Sequence, residues 1–297
     1  MWRVPYRSSG SPDLPPIDPS PSRDVAPVEI RLVRTHDEFA ACEAMSRDIW
    51  GAAERNVVPR ELLLTMQHNG GLVHGAFLPE GRLVGFCFGF LGMRDGQLRL
   101  CSHQLGVLPE FRGTGIGIAL KQAQRYDAVR QGYELVTWTF DPLEARNAYI
   151  NLHRLGCIAR VYDRDHYGAM EDDLNRGLPS DRFEAEWWLS RATPPTAADP
   201  EVMLRVGSKG EPVREDLDLG PRTTALIAVP PDFQEVKRRS LELALRWRME
   251  SRAALEAALA AGLIAIDFRR EGTYVMAPAS PDTSGAAHAA RPFETSQ

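Results

Sequence analysis

Glycine and arginine are concentrated in the stretch PEFRGTGIG (109–117), which is followed at once by the helical pattern IALKQAQRYDAVRQ. A helix N-terminus leaves backbone N–H groups unpaired and carries a partial positive charge. Glycine lets an anion approach those groups closely, and Arg112 adds a full charge. The stretch therefore predicts an anion site suited to a diphosphate. The alternative is a tight strand-to-helix turn that needs glycine for its geometry alone.

The spacing of these residues separates the classes of phosphate ligand. A P-loop closes with Gly-Lys-Ser/Thr, which is absent here. The dinucleotide pattern G-x-G-x-x-G also fails, because the sixth position counted from Gly113 is Ile118. The pattern that fits is Arg/Gln-x-x-Gly-x-Gly/Ala, which is met by Arg112, Gly115 and Gly117.

With this pattern the chain resembles the GNAT superfamily, the CoA-dependent N-acyltransferases. The segment GVLPEFRGTGIGIALK is similar to the strand, loop and helix of the acyl-CoA signature, and NAYINLHRLGC is similar to the later helix and strand. More narrowly, WTFDPLEARNA, LHRLG, YGAMEDDLNRGLPSDRFEAEWWL and LALRWRMESR resemble a bacterial and archaeal branch of predicted acetyltransferases. That closer resemblance covers most of residues 29–278.

The resemblance implies an acyl-CoA co-substrate and assigns residues to it. The backbone of Leu105 and Val107 would bind the pantetheine arm and polarise the thioester carbonyl, and the strand would splay from the next one, 134–140, to admit the acyl group. Asn147 and Asn151 could hold CoA or substrate by hydrogen bonds. The CoA diphosphate would lie on the backbone N–H groups of Arg112, Gly113, Thr114, Gly115, Ile116 and Gly117.

Acyl transfer to an amine needs the neutral amine, yet only about one part in a thousand of an amine with a pKa of about 10 is neutral at pH 7. This deficit of roughly 4 kcal/mol favours a general base. Members of the superfamily often carry Glu eleven residues before the Arg/Gln, where this chain has Cys101. His103, two residues further on the same strand face, is the predicted base or substrate contact. A core histidine bonded to backbone is the alternative.

The resemblance also suggests where an acid would protonate the leaving thiolate. Many relatives use a Tyr four residues before the closing Gly, and this chain has Leu152 there. Tyr149, one turn earlier, is the predicted acid, with His153 adjacent. Helix packing by these residues, or protonation by solvent, remains open. Cys101 lacks a base–orienter pair, so we interpret it as an inert buried thiol rather than a nucleophile.

The polar segment 163–182 is the predicted acceptor wall, because long loops in compact domains often carry function. Arg160, Arg164 and Arg182 could bind a carboxylate, and Tyr167 is a further predicted substrate contact. This would suit an amino-acid acceptor or a dicarboxylic acyl group such as succinyl. The alternative is a set of surface ion pairs with the aspartates of the segment, Asp163, Asp165, Asp172 and Asp173.

The strands and helices expected to position these residues indicate a mixed α/β fold. Hydrophobic periodicity gives the order β-α-α-β-β-β-α-β-α-β-β over 29–189, which predicts a GNAT-like, mostly antiparallel sheet with flanking helices. Thr35 and Glu38 form a predicted capping box at the first helix. The acyltransferase domain is predicted to span 28–190, after a disordered Pro/Ser-rich extension at 1–27.

Residues after 190 predict a linker at 191–222, a β-α-β-β region at 223–278 and a flexible tail at 279–297. The region at 223–278 is predicted to contain a strand, a single long helix (232–261) and two strands. The same order of elements is predicted at 134–189. Both series share Gly-x-Ile-Ala, at 156–159 and 262–265, which predicts a partial repeat. It has no phosphate turn, so we expect it to cover a sheet edge or to form a homodimer.

Composition limits the remaining possibilities. The 297 residues are 43% hydrophobic and 25% charged with a net charge of −5, which is typical of a soluble globular protein and argues against nucleic-acid or acidic-membrane partners. The longest nearly apolar run, 83–93, is too short to span a bilayer, and no signal peptide is apparent. The four cysteines and seven histidines show no metal-ligand spacing, so we expect reduced thiols, no metal and a cytoplasmic location.

The sequence therefore predicts an acyl-CoA N-acyltransferase that moves an acetyl or succinyl group to a small amine or amino acid by direct transfer in a ternary complex. A catalytically degenerate sensor that binds CoA or acyl-CoA is the alternative, supported by Cys101 and Leu152 at the positions of the missing Glu and Tyr. Acylation of protein lysines or N-termini is less favoured, because the chain is acidic and carries a long lid-like segment.

Overall fold

The computed structural model describes residues 27–50, 57–170, 172, 175–190, 200–215, 217 and 223–279. The chain divides into two compact units, and the division falls between Val136 and Thr137. We call them unit 1 and unit 2. The predicted domain at 28–190 thus includes unit 1 from residue 28 onward and the first part of unit 2. Except for residues 27 and 279, the predicted extension at 1–27 and the predicted tail at 279–297 lie outside the described residues.

Unit 1 is a four-stranded antiparallel sheet with three helices. Its strands follow the order β1-β2-β3-β4, and they are β1 (Glu29–Leu32), β2 (Leu72–Phe77), β3 (Leu83–Arg94) and β4 (Gln97–Val107). The helices are α1 (His36–Trp50), α2 (Arg60–His68) and α3 (Ile116–Arg130).

The two faces of this sheet bury different helices, because successive side chains of a strand point to opposite sides. Phe86 and Phe88 of β3 pack in one cluster with Phe39 of α1 and Leu63 of α2. Cys87, between them, packs in a second cluster that includes Ile116 and Leu120 of α3. The sheet is therefore held between α1 and α2 on one side and α3 on the other, which fixes the start of α3 against β4.

The capping box at the start of α1 is confirmed. The Glu38 N–H donates to Thr35 Oγ1 at 3.2 Å, and the Thr35 N–H donates to Glu38 Oε2 at 3.3 Å. Arg31 also donates two hydrogen bonds to the Glu38 carboxylate, of 2.7 and 3.1 Å. These bonds hold the pKa of Glu38 below its ordinary value. The first helix is thus tied to β1 at the residue where the sequence predicts it to begin.

Unit 2 contains the strand order β5-β7-β6-β11-β12-β10-β8-β9. The strands are β5 (Leu135–Phe140, which begins at the end of unit 1), β6 (Ile158–Asp163), β7 (Arg182–Trp188), β8 (Glu201–Val206), β9 (Pro212–Arg214), β10 (Ala225–Ala228), β11 (Leu263–Arg269) and β12 (Thr273–Pro278). The helices are α4 (Ala145–Ala148), a π-helical turn (Tyr149–Arg154), α5 (Phe233–Arg239) and α6 (Leu241–Ala260). The predicted class, a mixed α/β fold with a mostly antiparallel sheet and flanking helices, is confirmed.

Three sequence predictions in unit 2 need correction. The predicted linker at 191–222 contains β8 and β9, which are ordered because Met203 and Leu204 are buried. The predicted single helix at 232–261 is two helices, because Ser240 has an extended backbone and caps α6 by accepting a hydrogen bond from Leu243 N. The predicted helix at 144–156 is α-helical for one turn only and continues as the π-helical turn.

The hairpins β6–β7 and β11–β12 share one register. In each, the strand-pairing register shifts once, at Arg160 in β6 and at Ile266 in β11. These two residues stand one position after the alanine of each Gly-x-Ile-Ala sequence. The equivalent cross-strand pairs are Ala159↔Ala185 and Ala265↔Met276, Tyr162↔Phe183 and Phe268↔Tyr274, and Asp163↔Arg182 and Arg269↔Thr273.

The two hairpins meet at equivalent residues. Strands β6 and β11 pair antiparallel through Ala159 and Ala265, the two alanines of the repeated Gly-x-Ile-Ala. Strand β7 lies between β5 and β6, and β12 lies in the same way between β10 and β11. This two-fold arrangement is what a partial repeat predicts. Strand β11 also covers the edge of β6, as expected for an element that protects an exposed strand.

Candidate functional site

The glycine stretch forms the connection from β4 to α3 in unit 1. A short 3-10 turn, Pro109–Phe111, follows β4, and Gly115 is the N-cap residue of α3. Gly113 and Gly115 have φ angles of 82° and 92°, a left-handed conformation that L side chains rarely adopt. An added Cβ at either glycine would have no heavy atom within 4 Å. The turn is therefore open, and backbone conformation requires glycine at both positions.

The N–H groups of this turn are available to a ligand. The first backbone bond of α3 runs from Ala119 N to Gly115 O at 3.0 Å. Among the described residues, no backbone oxygen accepts from the N–H groups of residues 113–118. Thr114 Oγ1 donates to Phe111 O at 2.7 Å, which holds the turn in shape. Donors at the positive end of a helix favour an anion, so the diphosphate cradle stays a prediction to which this turn offers unpaired donors.

Two neighbours complete this turn. Arg112 is exposed, and its Nε donates to Val107 O at 3.2 Å, which leaves the outer part of the guanidinium facing solvent. Gly117 lies against β4, where an added Cβ would be 3.5 Å from Leu105 and 3.9 Å from Val107. The structure thus brings the predicted diphosphate residues together with the two strand residues to which the resemblance assigns the pantetheine arm.

His103 is the extra residue of a β-bulge in β4. Phe88 pairs with Gln104 and Gly89 pairs with Ser102, so His103 has no partner on β3. Its ring meets those of Phe88 and Phe90 edge-on, with centroids 5.5 and 6.1 Å apart. The residue is exposed, yet desolvation by its surroundings lowers the pKa of the imidazole. A bulge redirects side chains and is common beside active sites, and here it presents a neutral histidine to solvent.

Two other residues of β4, Cys101 and Ser102, contact neighbouring elements of unit 1. Cys101 is half-buried and pairs with Phe90. A Cβ added at Gly92 would lie 2.6 Å from the Cys101 Sγ. On α3, Lys121 is buried and donates to Ser102 Oγ at 2.7 Å. The burial of Lys121 was not recognisable from the sequence, where the only signal was its position on a helix face shared with buried residues.

Tyr149 and His153 are stacked in unit 2 and are bound by the C-terminal hairpin. Their ring centroids are 4.7 Å apart. His153 Nδ1 is joined to Asp267 Oδ1 by a hydrogen bond of 3.0 Å, and Arg270 Nε donates to the Tyr149 hydroxyl at 3.1 Å. Sequence reasoning missed Asp267 and Arg270, because both follow more than a hundred residues later. The predicted acid therefore has a defined partner, and Leu152 is completely buried.

The predicted pair Asn147 and Asn151 does not share one surface. Asn147 is exposed, whereas Asn151 is 6% exposed. Residues four apart lie on the same face of an α-helix, but the π-helical turn begins at Tyr149, between them. Asn147 alone presents its amide to solvent.

The arginines that could bind a carboxylate are already bound within unit 2. Arg160 pairs with Glu186 at 2.9 Å, and Arg164 donates two bonds, of 2.5 and 2.6 Å, to Glu256. Arg182 is buried and donates to three acceptors, Asp181 O at 2.8 Å, Asn175 Oδ1 at 2.9 Å and Met170 Sδ at 3.4 Å. The ion-pair alternative is therefore favoured, although the partners differ from the predicted aspartates.

Tyr167 is the predicted substrate contact that faces solvent. It is 49% exposed, its hydroxyl lies 3.0 Å from Thr139 Oγ1, and the Arg182 guanidinium lies 5.2 Å from its ring centroid. The Tyr167 N–H donates to Ser180 Oγ at 3.0 Å, which fixes the backbone below the ring. The side chain is thus exposed, while a hydrogen bond to Ser180 fixes the backbone that carries it.

Two further findings on the described residues concern metal ions and membranes. Within the described ranges, no three side chains among His, Cys, Asp and Glu are grouped to hold a metal ion. No helix in the part of the chain that the structure describes is long and apolar enough to cross a membrane.

Comparisons with known proteins return similar folds only. No family model matches the chain, and no curated protein matches it. Among solved structures, an acetyltransferase described as a GNAT family member from Desulfovibrio desulfuricans is 15% identical, with 55% of this chain and 99% of that chain covered and a TM-score of 0.43. Naa50 of Arabidopsis thaliana, solved with the bisubstrate analogue CoA-Ac-MVNAL, is 16% identical, with 54% and 97% covered and a TM-score of 0.42.

A third solved structure is the ribosomal-protein-S18-alanine N-acetyltransferase from Escherichia coli. It is 14% identical, with 56% of this chain and 96% of that chain covered and a TM-score of 0.44. The Desulfovibrio desulfuricans protein is described as a member of the family that the sequence motifs resemble. At these identities and TM-scores the three structures describe what the chain is similar to, and its activity has to be inferred from its own residues.

Proposed function

We propose that the protein is a GNAT-type N-acyltransferase that transfers an acyl group from acyl-CoA to an amine in a ternary complex. The observation that carries this proposal is the open set of N–H donors at residues 113–118, at the start of α3 and directly after a bulged strand. Gly113 and Gly115 hold this turn in left-handed conformations. Every helix leaves its first N–H groups unpaired, but here two open, left-handed glycines leave room for an anion to approach them.

The acyl donor is bound through its diphosphate. The N–H groups of 113–118 donate to the phosphate oxygens, the partial positive charge of α3 stabilises them, and Arg112 adds a full charge at the rim. The backbone of Leu105 and Val107 binds the pantetheine arm, as the resemblance implies. Both strand residues lie next to Gly117, which supports one continuous path for the CoA chain.

His103 acts as the general base. Its lowered pKa keeps the imidazole neutral at pH 7, so that it can accept the proton that the amine nitrogen releases as the C–N bond forms, whereas the ammonium loses its first proton to solvent. The neutral amine then attacks the thioester carbonyl, the C–N bond forms, the nitrogen gives up its second proton to His103, and the C–S bond breaks. The CoA thiolate takes up a proton from solvent, and Tyr149, whose hydroxyl is held by Arg270, stays a predicted acid.

The acceptor is recognised in part by the segment 163–182, where Tyr167 is exposed. Arg160, Arg164 and Arg182 already bind acceptors within the chain, so they do not favour a dicarboxylic acyl group or a free amino acid. We therefore favour acetyl over succinyl as the transferred group, and an amine without a required carboxylate as the acceptor.

A CoA-binding sensor without transfer activity is the second candidate. Two observations favour it, since Cys101 and Leu152 stand at the positions where relatives often carry Glu and Tyr, and Leu152 has no exposed surface. Such a protein would use the same diphosphate turn and would need no base.

Calorimetric titration with acetyl-CoA, followed by a thiol-release assay against a panel of primary amines, tests the two. The transferase binds acetyl-CoA with a Kd of about 1 μM to 1 mM and releases thiol with at least one amine. Binding without thiol release from any amine would favour the sensor. Absence of binding by folded protein would refute both.

A further inference from the structure

Helix α6 presents three charged side chains, Arg248, Arg252 and Glu256, to the other elements of unit 2. They are spaced four residues apart and so lie on one face of the helix. Arg248 contacts the turn after β5, whereas Arg252 and Glu256 both contact the segment 163–182, and none of these contacts could be read from the sequence. The role of α6 in the acyltransfer reaction follows from what these three side chains hold.

Arg248 holds the turn between β5 and α4. It is 1% exposed and donates bonds of 2.9 and 2.5 Å to the two carboxylate oxygens of Asp141. Asp141 Oδ1 also accepts from Leu143 N at 2.8 Å, which shapes the turn that leads into α4. A bidentate, buried Arg–carboxylate pair fixes both partners in direction as well as distance.

Arg252 holds the segment 163–182. It donates bonds of 2.8 and 2.7 Å to Asp181, whose side chain is completely buried. The same carboxylate accepts from the Tyr162 hydroxyl at 2.6 Å and from Asp165 N at 3.0 Å. Burial alone would raise the pKa of Asp181, but the bonds from Arg252 and Tyr162 outweigh it and lower that pKa.

Asp181 in turn joins the two limbs of the segment that carries Tyr167. The Asp165 N–H donates to Asp181 Oδ1, and the Asp165 carboxylate accepts from Ser180 N at 3.0 Å. Ser180 accepts from His166 N and Tyr167 N, at 3.1 and 3.0 Å. Glu256 adds an outer contact to Arg164, which is exposed. The position of Tyr167 therefore depends on a carboxylate that α6 holds in place.

We infer that Arg252 of α6 is a positioning residue for the acceptor, acting through Asp181 to hold the backbone under Tyr167. The inference rests on the proposed function, because it gives the C-terminal region a part in choosing the amine. Arg248 holds the β5–α4 turn from the same helix face, so one rigid helix fixes both segments. The C-terminal region is then a determinant of acceptor affinity and contributes no group to the chemistry.

Hydrogen exchange measured on the full chain tests the inference, with Arg252→Met compared with Arg246→Met. Arg246 lies on the exposed side of the same helix, so it is a matched control. We expect the amides of residues 165–168 to exchange about tenfold faster or more in Arg252→Met and to be unchanged in Arg246→Met. Equal exchange in the two variants, or acceleration spread over the whole chain, would overturn the inference.

A double variant separates positioning from loss of stability. Arg252→Met leaves the Asp181 carboxylate buried without its main partner, which destabilises the fold. Adding Asp181→Asn removes that charge, so we expect the melting temperature to recover while residues 165–168 stay fast. Recovery of slow exchange together with stability would contradict a positioning role.

Kinetics complete the test and keep it distinct from the test of the proposed function. For the amine with the highest thiol release, we expect Arg252→Met to raise KM about tenfold with little change in kcat, and to leave the acetyl-CoA Kd within about twofold. An unchanged KM would overturn the inference. Failure of the wild-type protein to bind acetyl-CoA would refute the proposed function, whereas the exchange result would still decide whether α6 holds the segment.

Discussion

His103 is the extra residue of a β-bulge, and this position decides how its imidazole is presented. A regular strand would pair it with a residue of β3, whereas the bulge leaves it against Phe88 and Phe90 with solvent beyond. Desolvation lowers the pKa, so the neutral base is the main form at pH 7 and down to below the ordinary histidine pKa of about 6.5. The residue type was readable from the sequence, and its surroundings were not.

Replacement of His103 should remove the base. We expect His103→Gln to lower kcat/KM for thiol release by about 10²- to 10⁴-fold. In the wild-type protein the rate should rise with pH through an apparent pKa below about 6.5 and then level, because protonation removes the base. The variant should lose this acidic limb. His68→Gln, at the exposed end of α2, is the control, and an unchanged rate and pH profile in His103→Gln would exclude the role.

Replacement of Gly115 tests whether the turn before α3 binds phosphate. Its φ of 92° costs an alanine roughly 1–2 kcal/mol, and Gly210, with a φ of 80° in the turn between β8 and β9, should cost about as much. Both sites are open, with no heavy atom within 4 Å of an added Cβ. We expect Gly115→Ala and Gly210→Ala to lower thermal stability by similar amounts, and only Gly115→Ala to weaken acetyl-CoA binding in calorimetry. Equal acetyl-CoA affinity in the two variants would contradict a ligand site at Gly115.

At the scale of elements, local signals predicted the helix and strand positions of unit 1 well. The capping box set the start of α1, and apolar runs bounded by turn residues indicated β2, β3 and β4. These features depend on neighbours in sequence, through side-chain periodicity and capping. They were therefore available before any tertiary contact was known.

Replacement of Thr35 tests how much the capping box stabilises α1. We expect Thr35→Ala to lower the free energy of unfolding by about 1 kcal/mol, because the Glu38 N–H loses its acceptor. Thr65→Ala is the matched control. Its hydroxyl donates to Glu61 O inside α2, a bond that does not cap the helix, so its removal should be neutral or slightly stabilising. Urea denaturation midpoints measure both, and equal shifts would show that the box does not stabilise α1.

What the sequence could not predict lies in tertiary contacts. The bulge at His103 depends on pairing with β3, and the break at Ser240 is a cap whose extended backbone interrupts an otherwise continuous helical pattern. The partners of Tyr149 and His153 come from β11 and the turn after it. The sequence left open whether Arg160, Arg164 and Arg182 form ion pairs, and it could not identify their partners, among them Glu256, because these lie in segments that only folding brings near.

At the scale of the whole molecule, the C-terminal region is integrated into unit 2. Strands β11 and β12 continue the sheet that contains β6, and the registers of the two hairpins correspond residue by residue. With β11 on the edge of β6, that edge is not open to a second copy of the chain. The predicted homodimer would then need another surface, and the predicted partial repeat can be checked by superposing 225–278 on 135–188.

The central claim is that unit 1 carries an acyl-CoA site at the start of α3. Titration of acetyl-CoA into the full chain, repeated with Gly115→Ala, tests it most directly, with thermal unfolding recorded to confirm that both proteins are folded. The account predicts one site with a Kd of about 1 μM to 1 mM in the wild-type protein and clearly weaker binding in the variant. Folded wild-type protein that does not bind acetyl-CoA, or a variant that binds it equally well, would contradict the account.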